Sequence, residues 1–344
     1  MTEPSRERLL FAGLSAARVA FYGAHYLAAR WLSRDTVAER ARPAHPTPSL
    51  AVLAENVTAL FVQDWKNVEA GLYPAPLDFR REMRGALSSL RYLADMPRVL
   101  QRQRTGVHDE ARDKGEGLPA YYRRNFHFQT DGYLSERSAR LYDFQVEALF
   151  AGTAEAMRRR AYVPVARYLT RCKLKGPVIL DVGAGTGRFL SFVKSMQPQA
   201  KAIALDLSAP YLARAEKRAV KMGQEIEILA APVEKMPLAD ASADVVTSIY
   251  LFHELPPKVR AAAAKEIARV LKPGGIFVFA DSIQYGDAPG FDGLIEVFPA
   301  LLHEPYYESY AKTDLKRVFA DAGLMAAHVD IAYLTKVVTF EKPR

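Results

Sequence analysis

Cysteine is all but missing from this chain: Cys172 stands alone among 344 residues. A single thiol excludes an internal disulfide and any multi-cysteine metal centre, which suits a reducing compartment, so a cytoplasmic location is expected. Long hydrophobic runs are lacking too. The most apolar stretch, Leu9 to Leu32, is broken by Arg18 and Arg30, and the eleven residues between them fall short of the roughly 20 needed for a bilayer span. Glu3 and Glu7 spoil a secretory n-region, and no small-residue cleavage site follows. No Lys/Arg block with interleaved aromatics occurs, despite a formal net charge of +8, so no nucleic-acid partner is expected. Arg80, Arg81, Arg84, Arg91, Arg98, Arg102 and Arg104 are spaced as one solvated helix face among acidic residues. No internal repeat and no metal-ligand set is read, and Cys172 is expected to be a small buried hydrophobe.

What is present divides the chain in two. A length of 344 residues allows two structural units, and 49% hydrophobic with 25% charged residues is ordinary for a folded globular protein. The first part reads as all-helical over 1–104. Leu9 to Trp31 is apolar nearly all round, as in a helix packed on several sides; further helical patterns run from Ser49 to Ala70 and from Asp78 to Arg104. Residues 105–160 read as a Gly-rich linker, Thr105 to Pro119, followed by an aromatic cap over Tyr121 to Tyr133 and a helix that Ser135 can cap. The third region, 161–344, alternates short β-rich runs with helical stretches. Strands are predicted at Val178 to Val182, Ala202 to Asp206, Glu225 to Leu229, Val245 to Tyr250 and Ile276 to Ala280. Such alternation implies an α/β fold with a mostly parallel sheet and helices on both faces. Two last runs, Ala326 to Ala332 and Thr335 to Glu341, are joined only by Tyr333 and Leu334, too short for a parallel crossover, so they should pair antiparallel.

The chemistry-bearing segment is Val178-Ile179-Leu180-Asp181-Val182-Gly183-Ala184-Gly185-Thr186-Gly187-Arg188, a β-run entering a glycine turn that opens a helix. Dinucleotide enzymes use a similar turn to hold a pyrophosphate at a helix N-terminus, so the flanking residues must decide between ligands. A carboxylate at Asp181 would repel a pyrophosphate and attract an ammonium. Asp206, ending the second strand, can accept hydrogen bonds from both hydroxyls of a ribose. An ammonium together with a ribose describes S-adenosyl-L-methionine better than a nicotinamide dinucleotide.

On these residues the region from about Tyr162 onward resembles the class I, Rossmann-like S-adenosylmethionine-dependent methyltransferases, in particular the group related to the ubiquinone and menaquinone C-methyltransferases. The glycine turn, Asp206-Leu207-Ser208, Glu234-Lys235-Met236-Pro237-Leu238 and Val270-Leu271-Lys272-Pro273-Gly274-Gly275 match in order and spacing. The resemblance implies a seven-stranded sheet with an antiparallel last strand. It also implies a cofactor site at Asp181, Gly183, Ala184, Gly185, Thr186, Gly187, Asp206, Leu207, Val233, Glu234 and Tyr250. Relatives usually carry an acidic residue two before Glu234, where this chain has Pro232, so adenine contacts fall to the Val233 backbone and the Glu234 side chain.

Displacement at a sulfonium methyl needs an aligned nucleophile, and a general base only where the acceptor carries a proton. Candidates follow the strand ends: His253, whose ordinary pKa suits proton removal, and Asp281; a histidine that only closes the pocket is the plainer alternative. Tyr122 and His127 from the aromatic cap, with Tyr133, are expected over the cleft mouth. The expected reaction is C- or O-methylation of a small, apolar or aromatic acceptor, with peripheral association to a membrane as a further expectation. Two other classes remain open: a protein or nucleic-acid methyltransferase docking through the basic helical region, and a non-catalytic cofactor-binding scaffold. Tyr250-Leu251-Phe252-His253 replaces the Asn-Pro-Pro-Tyr type of motif used in base amino methylation, which argues against nucleic-acid bases.

Overall fold

The structure is a computed structural model; it describes residues 5–40, 42–105, 111 and 115–344, and for 33–40, 79–87 and 300 the backbone only. Seven strands form one sheet in the order β3-β2-β1-β4-β5-β7-β6. They are β1 (Val178–Val182), β2 (Lys201–Asp206), β3 (Ile226–Ala230), β4 (Ala243–Ile249), β5 (Leu271–Ser282), β6 (Met325–Ala332) and β7 (Thr335–Glu341). The first five are parallel, and β7 runs antiparallel to both β5 and β6, as the two-residue connection at Tyr333 and Leu334 requires. Ile179, Leu180, Val182, Val245, Val246, Phe277 and Val278 are all but inaccessible, because helices cover both faces of the central strands.

Helices α4 (Glu136–Leu149), α5 (Ala154–Cys172), α6 (Arg188–Met196), α7 (Ala209–Lys221) and α8 (Pro257–Val270) flank the sheet, followed by the short α9 (Asp292–Leu302), α10 (Tyr307–Ala311) and α11 (Leu315–Ala320). Ser135 caps α4 by accepting from the Ser138 amide at 3.1 Å. At its other end α5 stops at Lys173, which is left-handed (φ 51), and this leaves Cys172 exposed, contrary to the buried position expected for it.

The N-terminal part consists of α1 (Arg6–Arg40), α2 (Leu50–Glu69) and α3 (Phe79–Thr105). It packs on the sheet domain through α4 and α5. Arg18 Nη2 meets the buried Glu147 carboxylate at 2.7 Å, and Arg159 grips Asp64 with two bonds at 3.0 and 2.5 Å. The first helix is not packed on several sides: Phe11 and Tyr22 are buried, whereas Leu9, Leu10, Leu27, Trp31 and Leu32 are exposed. Nor are all the arginines of α3 solvated. Arg102 is buried and donates to the Phe128 carbonyl and Thr130 hydroxyl, since it lies where α3 meets the aromatic segment. The side chains of Arg80, Arg81 and Arg84, and most of the expected linker, lie outside the described residues.

Candidate functional site

Where β1 and β4 lie side by side, the connections leave the sheet in opposite directions, which opens a crevice at the carboxyl ends of the strands. A solvent-open cleft occupies this position. Its floor comes from the strand ends and its roof from the aromatic segment.

The glycine turn is held by packing on two sides. A Cβ on Gly187 would lie 2.7 Å from the Ala215 Cβ, and one on Gly183 would lie 3.0 Å from the Leu251 side chain; both residues also have φ of +69°. Asp206 closes the turn: one oxygen accepts from the Gly185 amide and the other from Ser208, each at 2.8 Å. Asp181 pairs in register with Thr247 of β4, so its carboxylate receives the Thr247 hydroxyl at 2.6 Å. Among the described residues neither aspartate has a Lys, Arg or His partner. Burial, opposed by Thr247 and aided by repulsion from Asp206, pushes Asp181 up to about 7. For Asp206 burial outweighs the amide hydrogen bonds, and its pKa rises to about 6.

Eight of the expected positions line the cleft: Gly183, Gly185, Asp206, Leu207, Val233 and Tyr250 from the cofactor set, and Tyr122 and Tyr133 from the cap. The others stand behind the wall. Asp181 is turned to Thr247; Ala184 and Gly187 face the sheet domain's interior; Thr186 donates to Asp143 of α4 at 2.6 Å. Glu234 accepts the Tyr121 hydroxyl at 2.8 Å, which ties the roof to the loop after β3. Tyr250 holds a left-handed backbone (φ 57) and stacks on Phe150 at 5.7 Å. Strain of this sort costs about 1–3 kcal/mol and persists where the surroundings dictate it.

The roof is an aromatic box. Tyr133 stacks on Phe126 at 5.4 Å and meets Tyr142 and Tyr211 edge-on at 6.0 and 5.4 Å, with Tyr122 at 6.1 Å. Tyr142 and Tyr211 were not assigned to the site from the sequence, since each reads there as one more apolar position on a helix.

Beside the cleft five ionisable groups meet, of which Glu254 lines it. His253 donates through Nδ1 to Asp281 at 2.6 Å, and the other Asp281 oxygen accepts from the Phe252 amide at 2.8 Å. Burial opposes charge on His253, but the Asp281 and Glu254 carboxylates outweigh it and raise its pKa. Glu254, on the cleft surface, accepts a very short hydrogen bond from Tyr133. His127, not on the cleft surface, has Nδ1 3.0 Å from Glu304 and Nε2 3.7 Å from Glu254. Glu304 is buried, and its position just after α9 gave no signal in the sequence beyond a carboxylate among aromatics.

Residues 179–275 match the family described as Methyltransferase domain. This match identifies the segment as a methyltransferase domain. A demethylmenaquinone methyltransferase from Thermus thermophilus is 34% identical over 100 residues, covering 29% of this chain and 44% of that protein. A malonyl-[acyl-carrier protein] O-methyltransferase from Xylella fastidiosa is 36% identical over 104 residues, covering 29% and 33%. A ubiquinone/menaquinone biosynthesis C-methyltransferase from Brucella suis is 32% identical over 143 residues, covering 41% and 51%. The chain thus spans about half or less of each of these relatives. S-adenosylmethionine is the cofactor of such a methyltransferase domain, and the residues present fit it. The buried Asp181 and half-buried Asp206, without a Lys, Arg or His partner among the described residues, underlie and face the cleft, and the turn leaves no room for a Cβ at Gly183 or Gly187.

Proposed function

We propose that the protein transfers a methyl group from S-adenosylmethionine to a small, apolar or aromatic acceptor, by C- or O-methylation. The observation that carries this reading is the cleft itself, in which the glycine turn and Asp206 face a roof of tyrosines. When bound, the cofactor supplies an electrophilic methyl group. Asp206 would accept the ribose hydroxyls, Val233 and Leu207 would flank the adenine, and Asp181 would compensate the ammonium from beneath the turn. Tyr122, Phe126, Tyr133 and Tyr142 exclude water and offer ring faces to a flat acceptor, each well-placed face contributing about 0.5–2 kcal/mol toward a cation. Where the acceptor carries a proton, the proton leaves toward Glu254 on the cleft surface, behind which the His253–Asp281 pair is buried.

Incubating the protein and a metabolite extract with S-adenosylmethionine labelled in its methyl group tests this. Label in the organic phase is the expected result. Absence of label from every extractable compound, by protein that binds the cofactor, would contradict transfer to a small molecule.

The same reading favours an acceptor delivered at a lipid surface. Leu9, Leu10, Leu27, Trp31 and Leu32 are exposed on α1, with Arg6 and Arg8 beside them. At 100° per residue these apolar positions fall within an arc of about 140°. An apolar arc of this width, with Arg6 within it, suits the headgroup region of an anionic membrane.

A further inference from the structure

We infer that His253, Glu254 and Glu304 form a binding site for one divalent transition-metal ion at the inner wall of the cleft. One ligand atom from each lies within 4.8 Å of the other two. Three points so spaced lie within about 2.8 Å of a common centre (4.8/√3), so small side-chain movements would reach the metal–ligand distances of about 2.0–2.2 Å. One imidazole with two carboxylates suits zinc, manganese or iron(II) better than calcium or magnesium.

The groups behind these three are those a metal site needs. A ligating histidine usually gives its other nitrogen to a carboxylate, and ligating carboxylates are themselves held by donors. His253 has Nδ1 on Asp281 at 2.6 Å, and its Nε2 is left on the side of Glu254, 3.8 Å from Oε1. Glu254 is held by the Tyr133 hydroxyl. Glu304 has His127 Nδ1 at 3.0 Å. His253 and Glu254 therefore each have an orienting partner, while Glu304 has an imidazole beside it that makes no side-chain hydrogen bond to it.

A second observation stands apart from the cluster's composition. Glu304 is only 4% exposed, yet no side-chain donor reaches either carboxylate oxygen in hydrogen-bonding geometry, and His127 Nδ1, 3.0 Å away, is likewise without a hydrogen-bond partner. Leaving a buried polar group unsatisfied costs about 1–3 kcal/mol, more for a charged one. An ion between Glu304 and Glu254 removes that cost. His127 and the neighbouring Phe128 have left-handed backbones (φ 55 and 52), so local strain is spent on bringing this imidazole to Glu304.

Glu254 lies on the cleft surface, so the coordination positions that the three side chains leave open face the space assigned to the acceptor. An acceptor hydroxyl or carboxylate oxygen would complete the sphere. This last step rests on the methyl-transfer reading and deepens it, because an ion there favours an oxygen-bearing acceptor and would stabilise the oxyanion left when the acceptor's proton passes to solvent on the open side of the cleft. Metal binding itself does not depend on that reading.

The test uses full-length protein stripped with a chelator, dialysed against Zn²⁺ or Mn²⁺, and assayed for bound metal by mass spectrometry and calorimetry. One equivalent is expected, with affinity at least tenfold weaker in Glu304→Gln and in His253→Gln and unchanged in the surface control Glu308→Gln. Titration with S-adenosylhomocysteine on the same samples reports whether each variant is folded. Should a variant fail to fold, the Co²⁺-loaded unaltered protein decides: intense visible bands of a four- or five-coordinate ion are expected, and a spectrum like that of the hydrated ion overturns the site. No metal above the buffer level, or equal affinity in both variants, also overturns it. Metal bound by a protein that fails to bind S-adenosylhomocysteine would contradict the methyl-transfer reading and leave the metal site standing.

Discussion

Around the sheet, contacts are made by apolar side chains on both faces of the strands, whereas at the N-terminal helices apolar and aromatic packing is joined by buried ion pairs. The strands contribute Ile179, Val182, Val245 and Phe277 to continuous clusters. At the other junction Asp64 meets Arg159 and Tyr73, and Glu147 meets Arg18. Apolar packing tolerates exchange among residues of similar volume, but a buried ion pair stripped of one member leaves an uncompensated charge. The N-terminal junction is therefore the more brittle of the two, except at the glycine turn, where backbone and packing both demand the absence of a Cβ.

The largest effect is expected at that exception. Gly187→Val sets a branched side chain on Ala215 and at a φ of +69°. Overpacking costs about 1–3 kcal/mol and the backbone strain about as much again. Denaturant unfolding should show the sum, and a loss below 1 kcal/mol would mean that the turn has slack. At the ion-pair junction Asp64→Ala should cost about 3–5 kcal/mol by leaving Arg159 buried and unpaired. A loss of only a few tenths there would erase the contrast between the two regions.

A smaller effect comes from Asp181. With its pKa raised to about 7 in the folded protein, it contributes stability at acid pH that is lost as pH rises from about 4 through 7. A cationic ligand reverses that loss. Affinity for S-adenosylhomocysteine should accordingly fall about tenfold from pH 8 to pH 6, as the carboxyl takes up its proton. Calorimetry across this range checks the slope, which Asp181→Asn should flatten. Smallest in stability is the paired change Leu27→Ser and Trp31→Ser, within about 0.5 kcal/mol because both side chains are exposed. Its effect should be read instead in flotation with vesicles containing anionic lipid, where retained binding would remove α1 from the membrane reading.

The strands and the glycine turn were legible because parallel strands buried on both faces require apolar runs, and a turn that tight requires Gly183 and Gly187. Likewise the two residues at Tyr333 and Leu334 left the last hairpin no other pairing. What could not be read was long-range. Nothing near Arg102 signals that it is buried against Phe128, nothing in α1 says which of its apolar residues face outward, and Cys172 is exposed only because α5 ends there. In the candidate site the motif residues fell on adjacent strand ends. Tyr142, Tyr211 and Glu304 reach it from helices and a loop distant in sequence, where only the tertiary packing brings them together.

The central claim is that the crevice beside β1 and β4 binds S-adenosylmethionine through Asp206. Calorimetric titration of S-adenosylhomocysteine into the unaltered protein and into Asp206→Ala tests it directly. The account predicts one site of micromolar affinity, weakened about 10- to 150-fold in the variant, as befits loss of hydrogen bonds to a charged group worth about 1.5–3 kcal/mol. No binding by the folded unaltered protein, or equal affinity in the two, would contradict it.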